Sequence, residues 1–85
     1  MRQITNTYEQ FRSILARVLR VSPEEITPHS KSSDFGPDSL DVIEIVMMVE
    51  ETFDLELTDK DMSTQYLQDA TVREIAEFIE RRRRS

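Results

Sequence analysis

Residues 38 to 53 constrain the fold of this chain more than any other stretch. Asp38 can cap a helix, and Asp41 at the third helical position places negative charge at the positive end of the dipole. From there to Phe53 no Gly or Pro interrupts the run. On a helical wheel of about 100° per residue, Val42, Ile45, Val46, Val49 and Phe53 share one face, so the segment predicts a helix with a core-facing stripe. Such a stripe must be buried against other elements.

Three further segments can supply the cover. Thr7 with Gln10 three residues on has capping-box spacing and predicts a first helix carrying Tyr8, Phe11, Ile14, Leu15, Val18 and Leu19 and ending near Arg20. Ser22-Pro23-Glu24-Glu25 suits a single helical turn, with Ser22 as cap and Pro23 at the first helical position. Thr27 to Ser33 is polar or proline throughout, a loop closed by Asp34-Phe35-Gly36-Pro37. A short third helix is expected between Thr58 and Leu67, capped by Thr58 and anchored by Met62, Tyr66 and Leu67. Thr71 with Glu74 opens a fourth, bearing Val72, Ile75, Ala76, Phe78 and Ile79 and ending in arginines that suit a helix C-terminus. Asp54-Leu55-Glu56-Leu57 alternates briefly, but no strand pair with a hairpin turn appears. The expected fold is all-α: a small four-helix bundle of three longer helices and a short third one, a single domain over residues 1–85 with residues 81–85 a basic tail.

An 85-residue chain can build one modest core, which excludes barrel and doubly wound enzyme scaffolds. With no cysteine there is neither a disulfide framework nor a thiolate metal site, and no metal is expected. The net charge of −6 repels nucleic-acid backbone, and no run approaches a membrane span or a signal peptide, so a cytoplasmic protein that binds neither nucleic acid nor membrane is expected. The charge is uneven. Residues 34–61 hold ten acidic groups against Lys60 alone, whereas Arg81 to Arg84 are all basic. The arginine run has no interleaved aromatic residue and reads as a charged helix end rather than a nucleic-acid site.

The helix predicted at 38–53 carries a second apolar group. Leu40, Ile43 and Met47 fall roughly opposite the core stripe, and Glu44, Glu50, Glu51 and Asp54 share their side. Either another helix covers this group, or it is a docking surface with an apolar centre and an acidic rim, suited to weak, exchangeable contacts with basic partners. Ser39 stands at the first turn of the same helix, just after Gly36-Pro37-Asp38, where a bonded phosphate would meet free backbone N–H groups. Ser39 is a poor nucleophile in its own right, since the only histidine, His29, lies in a polar loop.

The run Asp34-Phe35-Gly36-Pro37-Asp38-Ser39-Leu40-Asp41 and the acidic helix after it resemble the signature of acyl carrier proteins, which reads D-L-G-x-D-S-L-D. The similarity extends back through Val21 to Thr27 and forward through Thr71 to Ile79. Phe35 and Pro37 depart from the usual leucine and the usual small or aliphatic residue, and residues 54–70 are longer than the family pattern by several positions. The resemblance implies the acyl-carrier bundle and a protein that is not an enzyme. Its Ser39 would be the covalent attachment point of 4′-phosphopantetheine, transferred from coenzyme A by a phosphopantetheinyl transferase, with acyl groups held as thioesters on the arm. An imported thiol fits a chain without cysteine. By the same resemblance, Asp38, Asp41, Glu44, Glu50 and Glu51 would meet basic patches on acyl-processing synthases, acyltransferases and ligases of fatty-acid, polyketide or related biosynthesis. Leu40, Ile43 and Met47 would fill the apolar centre of that contact, and the protein would act as a monomer. Val46, Val49, Met62 and Leu67 are the expected lining of a shelter for the acyl chain, against their alternative role as ordinary core.

Two other readings remain open on these residues: a peptidyl or aminoacyl carrier, which shares the serine but usually has a less acidic second helix, and an unmodified helical interaction module. Asp34-Phe35-Gly36 spells a kinase metal-binding triplet without room for the rest of a kinase, and Asp54 to Asp61 lacks the glycine and spaced ligands of an EF-hand.

Overall fold

A computed structural model of the chain describes residues 3–58 and 60–84, with side chains from residue 6 to residue 83. Four α-helices follow one another: α1 (Gln3–Leu19), α2 (Ser39–Phe53), α3 (Thr64–Asp69) and α4 (Val72–Arg84). The all-α expectation is met, and the β pairing among the described residues is one isolated bridge between Lys31 and Thr71. α1 lies against both α4 and α2. Their facing stripes close over one core that includes Phe11, Leu15, Ile26, Ile45, Val49, Leu67, Ile75 and Ile79.

α1 begins before Thr7, and Thr7 is no cap. Its side chain is buried, where the hydroxyl donates to Glu80 Oε1 at 2.5 Å and accepts from Arg83 Nη1 at 2.8 Å. The hydroxyl of Thr7 thus serves one oxygen of a buried carboxylate across 73 residues of sequence, and the cap-like spacing of Thr7 to Gln10 is incidental. α1 ends with Arg20 in the left-handed region at φ 59°, and Val21 N–H donates to Ala16 O at 3.1 Å, which is a Schellman closure. α2 ends the same way at Asp54, φ 57°, with Leu55 N–H on Glu50 O at 3.0 Å. Aspartate tolerates this conformation through its short polar side chain, whereas arginine in it costs on the order of 1 kcal/mol relative to glycine.

The turn predicted at residues 22–25 is present as a 3₁₀ helix over Pro23–Glu25, closed by Ser22 N–H on Glu25 Oε2 at 3.2 Å. Its hydroxyl also bonds Glu24, which holds that carboxyl below the usual carboxylate range. Ile26 then plugs the core. The following loop is tied to the start of α4: Pro28 O and Ser30 O accept the amides of Arg73 and Val72 at 3.0 and 2.7 Å. Thr71 Oγ1 accepts Glu74 N–H at 3.1 Å and Glu74 Oε1 accepts Thr71 N–H at 2.9 Å, so all four orphan donors at this helix start have partners. Residues 32–35, expected as loop, instead form a second 3₁₀ turn that packs on α3. Asp34 closes it by accepting Lys31 N–H at 2.9 Å, with Ser32 buried beneath.

The third helix is shorter and later than its sequence spacing suggests. Thr58 and Asp61 do exchange capping bonds, Thr58 N–H to Asp61 Oδ2 at 3.0 Å and Asp61 N–H to Thr58 Oγ1 at 3.3 Å, but they close an isolated turn. Ser63, five residues on, is the working cap, accepting Tyr66 N–H at 3.0 Å. Met62 between the two caps is buried.

The arginines that end the chain continue α4. Arg82 pairs with Asp61 at 2.8 Å and lies over the Phe78 ring, while Arg83 lies over Phe53 with its guanidinium carbon 5.1 Å from the ring centre. Ser85 of the expected tail falls outside the described residues. The Thr58 amide and hydroxyl, with Arg82, hold the Asp61 carboxyl below its usual range. Their stabilisation is therefore complete above the unfolded aspartate pKa of about 3.9 and lost as pH falls through the lower folded value. Asp61→Asn is expected to melt below the parent at pH 7 and to converge with it only once the pH has fallen below the lowered folded value. A gap that persists undiminished in acid would mean that charge at Asp61 contributes nothing.

Candidate functional site

The bonds that pin residues 28–31 to α4 fix the approach to α2. Gly36 turns the chain at φ 63°, and a Cβ placed there would meet no atom within 4 Å. The glycine is needed for its backbone conformation and not for a close approach. Asp38 then caps α2 in a reciprocal pair: Asp41 N–H donates to Asp38 Oδ1 at 2.9 Å and Asp38 N–H to Asp41 Oδ2 at 3.1 Å. Val42 N–H takes Asp38 O at 3.2 Å. The amides of Ser39 and Leu40 have no carbonyl one turn back to bond and lie at the exposed start of the helix.

Ser39 is exposed at the first position of α2. The carboxylates nearest to it in sequence are committed to each other's backbone and do not serve it as a base. His29, also exposed, lies in the 27–30 loop, where its own amide bonds Thr27 Oγ1 at 3.2 Å. A free phosphate would gain two amides and the helix dipole here but would face the Asp38 and Asp41 carboxylates. A group joined covalently to the hydroxyl escapes that balance. The residues therefore fit an attached phosphodiester, with an open exit into solvent.

The second apolar stripe of α2 is not covered by another helix. Leu40 is 63% exposed and Ile43 and Met47 are each 54% exposed, the large hydrophobic side chains most open to solvent among the described residues. The core stripe behaves as expected, with Val42, Ile45, Val49 and Phe53 buried and Val46 half-buried at its edge.

The acidic rim divides into two kinds of residue. Glu44 and Glu51 are exposed and make no ion pair within 4 Å among the described residues. Glu50 is half-buried, and its Oε2 accepts Leu57 N–H at 2.9 Å, which binds the chain after α2 back onto the helix. It has a structural task that the wheel did not reveal. Asp41 is likewise half-buried and engaged in the cap. Val49, Met62 and Leu67 are buried in the same core cluster, and Val46 packs against it from outside.

Sequence reasoning passed over two residues beside this face, Arg17 and Arg20. With Glu44, Met47, Met48 and Glu51 they line a groove of about 360 Å³ between the end of α1 and α2. Only the position of Arg20 at a helix end, where glycine is usual, could have marked it. Among the described residues no group of three or more His, Asp or Glu is placed to share a metal ion, and no helix is long and apolar enough to cross a membrane.

The family model described as a phosphopantetheine attachment site matches residues 9–79. A protein of Wolinella succinogenes named "Acyl carrier protein" is 36% identical over 74 residues, which cover 86% of this chain and 92% of that relative. One of the same name from Sulfurovum sp. (strain NBC37-1) is 39% identical over 74 residues, 86% of this chain and 93% of the relative.

Proposed function

Because this chain belongs to the acyl carrier protein family, and so is a carrier with a 4′-phosphopantetheine prosthetic group and not an enzyme, we propose that Ser39 is the residue that bears the group. The single observation that carries this reading is an exposed serine hydroxyl at the first position of a helix whose capping is done by its neighbour, Asp38. Ser39 is thereby free to be modified without cost to the fold. Once attached, the arm's thiol carries acyl groups as thioesters, a chemistry that the cysteine-free chain does not otherwise possess. Since Asp38 and Asp41 are engaged with backbone amides, the base that takes the Ser39 proton has to come from the transferase.

The chain's own contribution is presentation. Leu40, Ile43 and Met47 offer a small apolar contact that partners can form and release, and Glu44 and Glu51 steer basic surfaces toward it. Asp38, Asp41 and Glu50 act mainly by holding the shape of that face, a reading supported by their bonds to backbone amides. The partners are the phosphopantetheinyl transferase and acyl-processing enzymes of fatty-acid or polyketide type, encountered by a monomer in the cytoplasm. An acyl chain would shelter beside Val46, where separation of α2 from the 62–67 segment opens a path to Val49, Met62 and Leu67. Residues 1–85 act as one carrier domain, with the arginines at its end serving α4.

The test is intact-protein mass after incubation with coenzyme A and a broad-specificity transferase. A gain of one phosphopantetheine group that maps to Ser39 supports the reading; no gain, with a transferase that loads a control carrier, favours an unmodified interaction module. Charge reversal probes the docking face. Glu44→Lys/Glu51→Lys is expected to lower the loading rate about tenfold in dilute buffer and by only about twofold near 0.5 M salt, since exposed charges are screened beyond a few ångströms there. A deficit that salt does not narrow would exclude steering as its cause.

A further inference from the structure

The Arg17/Arg20 groove is unexplained by the fold and by loading of Ser39. Arg20 occupies the left-handed position that glycine fills most easily, at φ 59°, and neither it nor Arg17 has a carboxylate within 4 Å among the described residues. Strain kept at an exposed cation with no ion-pair partner among the described residues points to a use outside the chain. On the α2 side the groove is lined by the half-buried Met48, the exposed Met47, and Glu44 and Glu51. It shares Arg17 and Met48 with a second hollow of about 260 Å³ alongside, so the depression is continuous along the α1/α2 seam. Met47 belongs to both the groove and the exposed stripe of α2, so the two surfaces join.

Two cations on one lip and two carboxylates on the other require a partner of opposite arrangement. A uniformly basic surface would meet Glu44 and Glu51 favourably and be repelled by Arg17 and Arg20. We propose that the α1/α2 groove is a specificity-determining docking site for a partner helix whose polar face is charge-segregated. Its basic residues lie on Glu44 and Glu51, its carboxylates on Arg17 and Arg20, and an apolar side chain sits on Met47 and Met48. This rests on the carrier reading insofar as the partners are the enzymes that use the arm. The arginine pair sets the direction in which a partner lies along α2, and hence on which side of Ser39 its active site falls.

Two amphipathic helical peptides of identical composition provide the probes. Both carry the same leucine face, with four lysines and two glutamates on the polar face. In one the glutamates are together at an end, and in the other they alternate with the lysines. NMR titration of the full chain is expected to show the segregated peptide binding about fivefold to tenfold more tightly, with shifts centred on Arg20, Met47 and Met48. Arg17→Glu/Arg20→Glu should abolish that preference, and a segregated peptide with lysines in place of its glutamates should restore it, closing a double-mutant cycle. Equal binding of the two peptides, or a preference that survives the double reversal, would overturn the proposal. So would wild-type dimerisation in sedimentation that the reversal abolishes, which would assign the groove to a second copy. Binding to phosphatidylglycerol vesicles that the reversal abolishes would assign it to a lipid surface instead. The double variant is also to be loaded with coenzyme A and transferase in parallel. Normal loading with unchanged peptide preference would defeat this proposal alone, whereas failure of wild type and variant alike to load would defeat the carrier reading.

Discussion

Ser39→Ala is expected to abolish the mass gain completely while leaving the melting temperature within about 4 °C of the parent. The two halves of this expectation have different causes. Loading disappears because the hydroxyl oxygen is the atom to be bonded, and no other side chain stands at the first turn of α2 with an exposed hydroxyl. Stability is retained because the cap of α2 is the Asp38 carboxylate, which accepts Asp41 N–H at 2.9 Å, and an exposed first-turn residue buries nothing. Alanine is also a good helix former. Intact mass and a thermal melt on the same sample decide both. Ser32 and Ser33 in the preceding turn are internal controls, the first buried and the second exposed. A mass gain that persists in Ser39→Ala and maps to Ser33 would move the attachment point, and unfolding of the variant would contradict the capping geometry.

The second large effect separates the two stripes of α2. Ile45 is fully buried and Ile43, two residues earlier, is 54% exposed. Ile45→Ala removes buried methyl and methylene groups and leaves a cavity, which typically costs about 2–5 kcal/mol. Against a total near 0.1 kcal/mol per residue, typical of small domains, that is a large share of the stability, and a fall in melting temperature of roughly 10 °C or more is expected. Ile43→Ala is expected to change stability by about 0.5 kcal/mol or less, yet to slow loading by the transferase, because its side chain is available to a partner rather than to the core. Thermal melts paired with loading rates test the contrast. Equal destabilisation by the two substitutions would show that the second stripe is packed internally.

The same helix shows where local reading succeeds. α2 begins and ends where its residues predict, because Asp38 and Asp41 lie three residues apart and the cap they form involves no other element. The Ser22–Glu25 turn and the Thr71–Glu74 cap are legible for the same reason. Thr7 was misleading because its spacing to Gln10 imitates a cap, while its true partners, Glu80 and Arg83, are at the far end of the chain. Thr58 misled more narrowly. Its capping bonds with Asp61 exist, but whether the chain continues as helix was decided by burial of Met62 and a competing cap at Ser63.

What the sequence by itself determined was every property carried by neighbours within one helical turn: the all-α class, the limits of α2, the position of Ser39 at its start and the existence of two apolar stripes on one helix. Cap geometry and helical period are short-range, so residue spacing suffices to state them. Only the tertiary structure decided which stripe is covered and which faces solvent. It likewise decided that Glu50 serves the chain after α2, that Glu44 and Glu51 are exposed, and that Arg17 and Arg20 meet α2 across a groove. Each of these depends on how helices distant in sequence pack together. A side chain's exposure is set by the neighbouring helix as much as by its own, and the spacing within one helix carries no information about that neighbour.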